Sequence, residues 1–107
     1  MIETVKAIFT PIFRRHSIRK AILFGSFARG DQTSRSDLDL ILIQETSQPF
    51  LQRYEPILVE LNQALQEHAV EVLIYTPQEF LEIQHRPFIR QALEEGIVLY
   101  EQEEVSI

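Results

Sequence analysis

Gly25-Ser26-Phe27-Ala28-Arg29-Gly30, followed after a polar loop by Ser36-Asp37-Leu38-Asp39-Leu40-Ile41-Leu42-Ile43, is the stretch that decides the fold of this 107-residue chain. The apolar run Ala21-Ile22-Leu23-Phe24 in front of it has the composition of a buried strand. Gly25 then lets the backbone turn sharply or approach a ligand closely, because no Cβ stands in the way. Ser26 is placed to cap a short helix, and the free N–H groups of such a helix start suit a phosphate. Ten residues separate Ser26 from Asp37, and Asp37 and Asp39 are two apart. On a strand that spacing puts both carboxylates on one face, with Leu38, Leu40 and Leu42 on the other. Two adjacent carboxylates repel unless a cation lies between them. A phosphate cradle beside a cation site is what handling a nucleoside triphosphate requires.

Working outward, Ile2, Val5, Ile8, Phe9, Ile12 and Phe13 recur at helical spacing and predict an amphipathic helix over 2–15. Pro11 inside that pattern predicts a kink, or a break into two short helices. Arg14, Arg15 and His16 suit the C-terminal end of the helix dipole, and a basic cluster there could alternatively reach a triphosphate. Residues 18–24 read as the first strand, 26–31 as a short helix ended by Gly30, 31–35 as a polar loop and 37–43 as the second strand. A loop over 44–49 leads into a helix with Ile57, Leu58, Leu61 and Leu65 on one side and Glu55, Glu60, Gln63 and Glu67 on the other. Pro56 falls near its first turn and His68 reads as its C-terminal cap. Residues 69–75 form a third strand, with Val70, Val72 and Ile74 on one face and Glu71, Leu73 and Tyr75 on the other. Thr76 caps and Pro77 opens a helix to about Gln84. His85-Arg86-Pro87 breaks it, a helix resumes over 88–95, Gly96 ends that one, and 97–100 is a final strand. The order α-β-α-β-α-β-α-α-β argues an α/β fold, a small sheet covered by helices.

A chain of this length is expected to be one domain, 1–107, with a core large enough to stand without staples. The absence of cysteine excludes disulfides, thiolate catalysis and cysteine zinc sites. No apolar run approaches the ~20 residues that cross a membrane, and the start, Met1-Ile2-Glu3-Thr4-Val5-Lys6, lacks a secretory layout. The expected location is cytoplasmic. A net charge of −6 argues against direct nucleic-acid binding, which needs a basic surface. The acidic tail Glu101-Gln102-Glu103-Glu104 reads as a solvated end. His68 and His85 have no metal-spaced partner. Oligomeric state, a homo-oligomer included, is not legible.

Gly25-Ser26, ten residues, then Asp37-Leu38-Asp39 resembles the signature of the DNA polymerase β-type nucleotidyltransferase superfamily. GSFARG with SDLDLILI resembles its minimal branch, the minimal nucleotidyltransferases (MNT) of prokaryotes, which are often encoded beside a HEPN-domain partner as a toxin–antitoxin pair. The resemblance implies a mixed sheet of the polymerase β-type fold and a site of two Mg²⁺ ions and ATP. It places Gly25, Ser26, Arg29 and Ser36 on the nucleotide and Asp37 and Asp39 on the metal. A third carboxylate on a later strand completes the superfamily's set. Glu71 is the candidate, since it breaks an apolar strand where a charge is costly unless paired or metal-bound. Aspartate is more usual there, and an edge position where Glu71 merely meets water is the alternative. Arg29 would add charge on the leaving pyrophosphate, or else sit in a surface ion pair. The arginine–histidine pair of HEPN ribonucleases is absent here. The implied function is therefore a Mg-dependent adenylyltransferase antitoxin that moves AMP onto a hydroxyl, a tyrosine above all, of a HEPN ribonuclease toxin. The alternative is an antitoxin that neutralises its partner by binding only. A small-molecule transferase comes third, since it would normally need an added helical domain.

Overall fold

A computed structural model describes residues 1–102 of the chain. Glu103 and Glu104 of the acidic tail lie outside the described residues. The elements are α1 (Ile2–Arg15), β1 (Ile18–Phe24), α2 (Ser26–Arg29), β2 (Leu38–Gln44), a 3₁₀ turn (Phe50–Arg53), α3 (Tyr54–Ala64), β3 (Val70–Tyr75), α4 (Pro77–Ile83), α5 (Pro87–Glu95) and β4 (Ile97–Glu101). The four strands form one mixed sheet in the order β3-β2-β1-β4. β1 runs antiparallel to both β2 and β4, while β2 and β3 are parallel. A parallel pair needs a long crossover, and the 3₁₀ turn with α3 supplies it.

The alternation along β2 sorts its side chains between two layers. Leu38, Leu40 and Leu42 enter the larger core, packed with Val5, Phe9 and Phe13 of α1 and Ile57 and Leu61 of α3. Ile41 and Ile43 face the smaller core, with Ile22 of β1 and Ile89 and Ala92 of α5. Asp39 belongs to this second face, two residues before Ile41.

α1 stays continuous through Pro11 instead of dividing into two helices. Proline inside a helix costs about 3 kcal/mol. Val5, Phe9, Ile12 and Phe13 are buried on both sides of it. At about 1.5–3 kcal/mol for each buried side chain, their packing outweighs that cost and holds both halves on one axis. The predicted capping of α4 is present: the Thr76 hydroxyl accepts from Glu79 N–H at 3.2 Å and the Glu79 carboxylate accepts from Thr76 N–H at 2.9 Å.

β3 is an edge strand whose outer backbone is engaged by side chains at Val70 and Ile74. Asn62 both donates to Val70 O at 3.2 Å and accepts from Val70 N–H at 2.9 Å, and the Tyr54 hydroxyl accepts from Ile74 N–H at 3.3 Å. Arg53, 6% exposed, donates through Nη1 to Ile74 O at 3.4 Å, through Nε to Gln48 O at 2.9 Å and as a two-pronged fork to Glu79 at 2.6 and 3.1 Å.

Candidate active site

The site forms where β1 ends, β2 begins and β3 begins. Phe24 on β1 pairs with Asp39 on β2, and Asp39 pairs with Glu71 on β3. Directly paired residues point to the same face, so Phe24, Asp39 and Glu71 make one row across the sheet, at steps of about 4.8 Å. The row below it is Ile22, Ile41 and Leu73, an apolar floor. Asp37 stands exposed just before β2, and Leu38 N–H donating to Ala69 O at 2.8 Å ties the start of β2 to that of β3. β2 thus begins one residue later than the alternation predicts.

Gly25 carries φ +76°, a region that costs side-chain-bearing residues dearly. Space demands glycine as well: a Cβ here would stand 2.5 Å from Asp39 Oδ2. The turn is therefore pressed onto the central carboxylate of the row. Gly25 itself, not Ser26, is the N-cap of α2, and its carbonyl accepts from the N–H groups of Ala28 and Arg29, each at 3.1 Å. The helix starts at Ser26, the start that the sequence predicts, but the cap is Gly25. Ser26 occupies the first helical position, and its hydroxyl has no hydrogen-bond partner among the described residues. Gly30 closes α2 in the left-handed conformation, as expected.

Arg29 lies at the end of α2 between two acids, donating through Nε to Asp31 and through Nη1 to Glu95, both at 3.2 Å. Its charge reaches Asp39. Burial first, then repulsion from Glu71 and Asp37, pushes the Asp39 carboxyl above the usual carboxylate range, and Arg29 is the cation that opposes this. Asp37, Asp39, Glu71 and Arg29 thus share one electrostatic environment. Ser36 points elsewhere: its hydroxyl accepts from Thr33 N–H at 2.9 Å and so serves the loop before β2. The Ser36 carbonyl meets His68 Nδ1 at 2.9 Å, and the His68 ring packs edge-on against Phe27. His68 therefore braces the loop before β2 and does not cap α3, which closes at Leu65.

A cleft of about 530 Å³ opens from the row, with Asp39 and Glu71 on one wall and Phe24, Leu73 and Phe88 among its apolar walls. Phe88, at the start of α5, meets Phe24 edge-to-face at 5.8 Å. The sequence does not mark Phe88 or Glu95 for a site, since both are separated from the signature by the whole second half of the chain. A larger cleft of about 810 Å³, between α4 and the sheet, contains none of the site carboxylates.

Among the described residues no group of three or more histidine, cysteine or acidic side chains stands close enough to cage a metal ion. Magnesium does not need such a cage. It is held by one or two carboxylates and completes its shell with water and phosphate oxygens. Asp37 and Asp39, with charge in excess of the one neighbouring cation, fit that kind of site. No described helix is long and apolar enough to cross a membrane.

Residues 8–105 match the family described as Polymerase beta, Nucleotidyltransferase. A Methanocaldococcus jannaschii protein provisionally named a protein adenylyltransferase is 32% identical over 88 residues, 80% of this chain and 82% of that one. The solved structure of a provisionally named minimal nucleotidyltransferase is 29% identical, covers 90% of this chain and 93% of its own, and superposes with a TM-score of 0.61. A chain from the complex of tri-AMPylated Shewanella oneidensis HEPN toxin with MNT antitoxin shares the fold at 14% identity, with a TM-score of 0.62 over 95% of this chain and 74% of that one. With its glycine turn set against the in-register acids of a mixed sheet, the chain belongs to the polymerase β-type nucleotidyltransferase family.

Proposed function

We propose that this nucleotidyltransferase moves AMP from ATP onto a protein hydroxyl, and that the protein is a HEPN-type ribonuclease partner which the transfer switches off. The observation that carries the reading is the row formed by Asp39 and Glu71 beside the Gly25 turn. Strand order sets the turn, the central acid and Glu71 side by side across β1, β2 and β3, so that one bound triphosphate could meet all three. The unpartnered Ser26 hydroxyl and the first N–H groups of α2 would hold the β- and γ-phosphates. Asp37 and Asp39 would hold Mg²⁺, joined by Glu71. Bound there, the metal supplies charge neutralisation of the triphosphate and a lowered pKa at the acceptor hydroxyl. Glu71, exposed at the far end of the row, is placed to receive the proton of that hydroxyl. The acceptor oxygen then bonds to the α-phosphorus as its bond to the pyrophosphate oxygen breaks, and pyrophosphate leaves past Ser26 and Arg29.

The choice of AMP and of a protein acceptor follows the name of the M. jannaschii relative. The HEPN partner follows the Shewanella complex, in which the toxin carries AMP. Incubating both proteins with ATP and Mg²⁺ should add about 329 Da to the partner for each AMP transferred, as a phosphodiester requires, visible by intact mass. Neutralisation of the partner with no mass change, and equally by Asp37→Asn, would establish the binding-only antitoxin instead.

A further inference from the structure

Gly96 follows α5 with an ordinary φ, yet it has no room for a side chain. A Cβ there would lie 2.6 Å from Ala92 O and 2.7 Å from Ile22 Cγ2. The end of α5 is therefore seated directly on β1, two residues before Phe24. That seating carries Glu95, the last residue of α5, to the phosphate turn, where Glu95 Oε1 meets Arg29 Nη1 at 3.2 Å across 66 positions of sequence. Asp31 holds Arg29 Nε from the other side at 3.2 Å. Of the guanidinium fork, Nη2 is left with no hydrogen-bond partner among the described residues. The two carboxylates hold the group from Nε and from Nη1 and leave Nη2 open.

We propose that Glu95 is a positioning residue for the nucleotide: it holds Arg29 so that the open Nη2 faces the polyphosphate chain, and the packing of Gly96 on β1 sets its reach. The inference rests on the proposed role of Arg29 at the leaving pyrophosphate. A guanidinium free to rotate loses entropy when it binds phosphate, whereas one fixed in advance has already lost it. Two acids beside Arg29 also temper its attraction for phosphate, so the held geometry must contribute more than the charge they offset. Glu95 touches neither substrate nor metal in this scheme and acts through Arg29 alone.

Calorimetry on the full chain tests this with three probes in the presence of Mg²⁺: ATP, inorganic pyrophosphate and AMP. Glu95→Ala should weaken ATP and pyrophosphate about tenfold, or ~1.4 kcal/mol, and leave AMP unchanged. Glu95→Asp should recover part of the loss. Gly96→Ala, which lifts the end of α5 from β1, should reproduce the Glu95→Ala pattern. A merely structural role would weaken all three probes together, and that result overturns the proposal. So does unchanged or tighter pyrophosphate binding in Glu95→Ala while Arg29→Ala loses it, which leaves the role of Arg29 standing. Unchanged pyrophosphate binding in Arg29→Ala overturns the role of Arg29 and that of Glu95 with it. Failure of the unaltered chain to bind ATP overturns the nucleotide-handling reading as a whole.

Discussion

Asp39 and Glu71 are direct partners in the parallel register of β2 and β3, two carboxylates on one face of the sheet in adjacent strands. Their repulsion helps hold the Asp39 carboxyl above its usual range. Nothing in strand pairing favours two like charges opposite each other. The arrangement is explained if cation binding offsets the repulsion. Asp37→Asn/Asp39→Asn should abolish the Mg²⁺-dependent binding of ATP, and EDTA should do the same to the unaltered chain, both read by calorimetry. Transfer should fall at least about a thousandfold, or ~4 kcal/mol of barrier. Glu71→Gln should end transfer while keeping most ATP affinity, and Glu71→Asp should retain activity. Normal transfer by Glu71→Gln would make Glu71 an ordinary edge-strand acid.

Gly25 tests the other half of the site. Gly25→Ala places a methyl group 2.5 Å from Asp39 Oδ2 and puts a side chain at φ +76°. Strain of this kind costs about 1–3 kcal/mol. The variant should melt several degrees lower and lose ATP binding by more than its stability loss explains, because Asp39 itself is displaced. Gly30→Ala has the same backbone problem without a clash, since nothing lies within 4 Å of its Cβ position. It should lower stability and leave ATP binding in place. Equal effects of the two variants on binding would mean that the contact between Gly25 and Asp39 does not matter to the site.

Most of the fold is legible in the residues because the burial pattern is simple. β1, Ile18–Phe24, forms around its apolar run Ala21-Ile22-Leu23-Phe24, and Thr76-Pro77 announces α4 through hydroxyl and ring chemistry that acts locally. Direction along the sheet is not legible from alternation, which is the same for parallel and antiparallel strands. The superfamily resemblance supplies the mixed sheet. In the site, the register pairs Asp39 with Glu71 and the turn at Gly25 lies against Asp39, while Asp37 stands exposed just before β2. Ser36 is not brought to them, because its hydroxyl is engaged by Thr33 in the loop. Arg53, Phe88 and Glu95 escape the sequence because their partners, Glu79, Phe24 and Arg29, are distant in the chain. A lone arginine between Leu51 and Ile57 gives no sign of its own that tertiary packing will bury it.

Arg53 and Glu79 yield a pH-dependent prediction. The Arg53 fork, then the Thr76 backbone N–H, hold the Glu79 carboxyl down from an ordinary 4.5 to about 2. A carboxyl depressed in the folded state stabilises the fold above its unfolded pKa, and the gain is lost as pH falls through the folded value. The window here runs from 4.5 down to about 2. Glu79 is 40% exposed, so water screens the pair and the gain is about 1–2 kcal/mol. Glu79→Gln should lower the melting temperature at about pH 7. The gap to the unaltered chain should close as pH drops below 4.5. A gap that persists unchanged to the acid end would attribute the loss to the α4 cap and not to the charge on Glu79.

Phe88 separates the acceptor from the nucleotide base as occupant of the cleft. It is 58% exposed, and its contact with Phe24 is an edge-to-face ring pair. The side chains lining the cleft are Phe24, Leu40, Leu58, Val70, Val72, Leu73 and Phe88 beside Asp39 and Glu71. Apart from the two carboxylates, none carries a polar atom. An adenine ring brings several donors and acceptors that these walls would leave unpaired, which is unfavourable. An acceptor side chain with an apolar body and one hydroxyl needs a single polar partner, and Glu71 would be that partner. Phe88→Ala should therefore reduce transfer to the partner about tenfold, or ~1.4 kcal/mol of barrier, with ATP affinity unaltered by calorimetry. Phe88→Leu keeps the bulk without the ring and should fall between the two if ring contact matters. A parallel loss of ATP affinity in Phe88→Ala would place the nucleotide base, not the acceptor, against this wall.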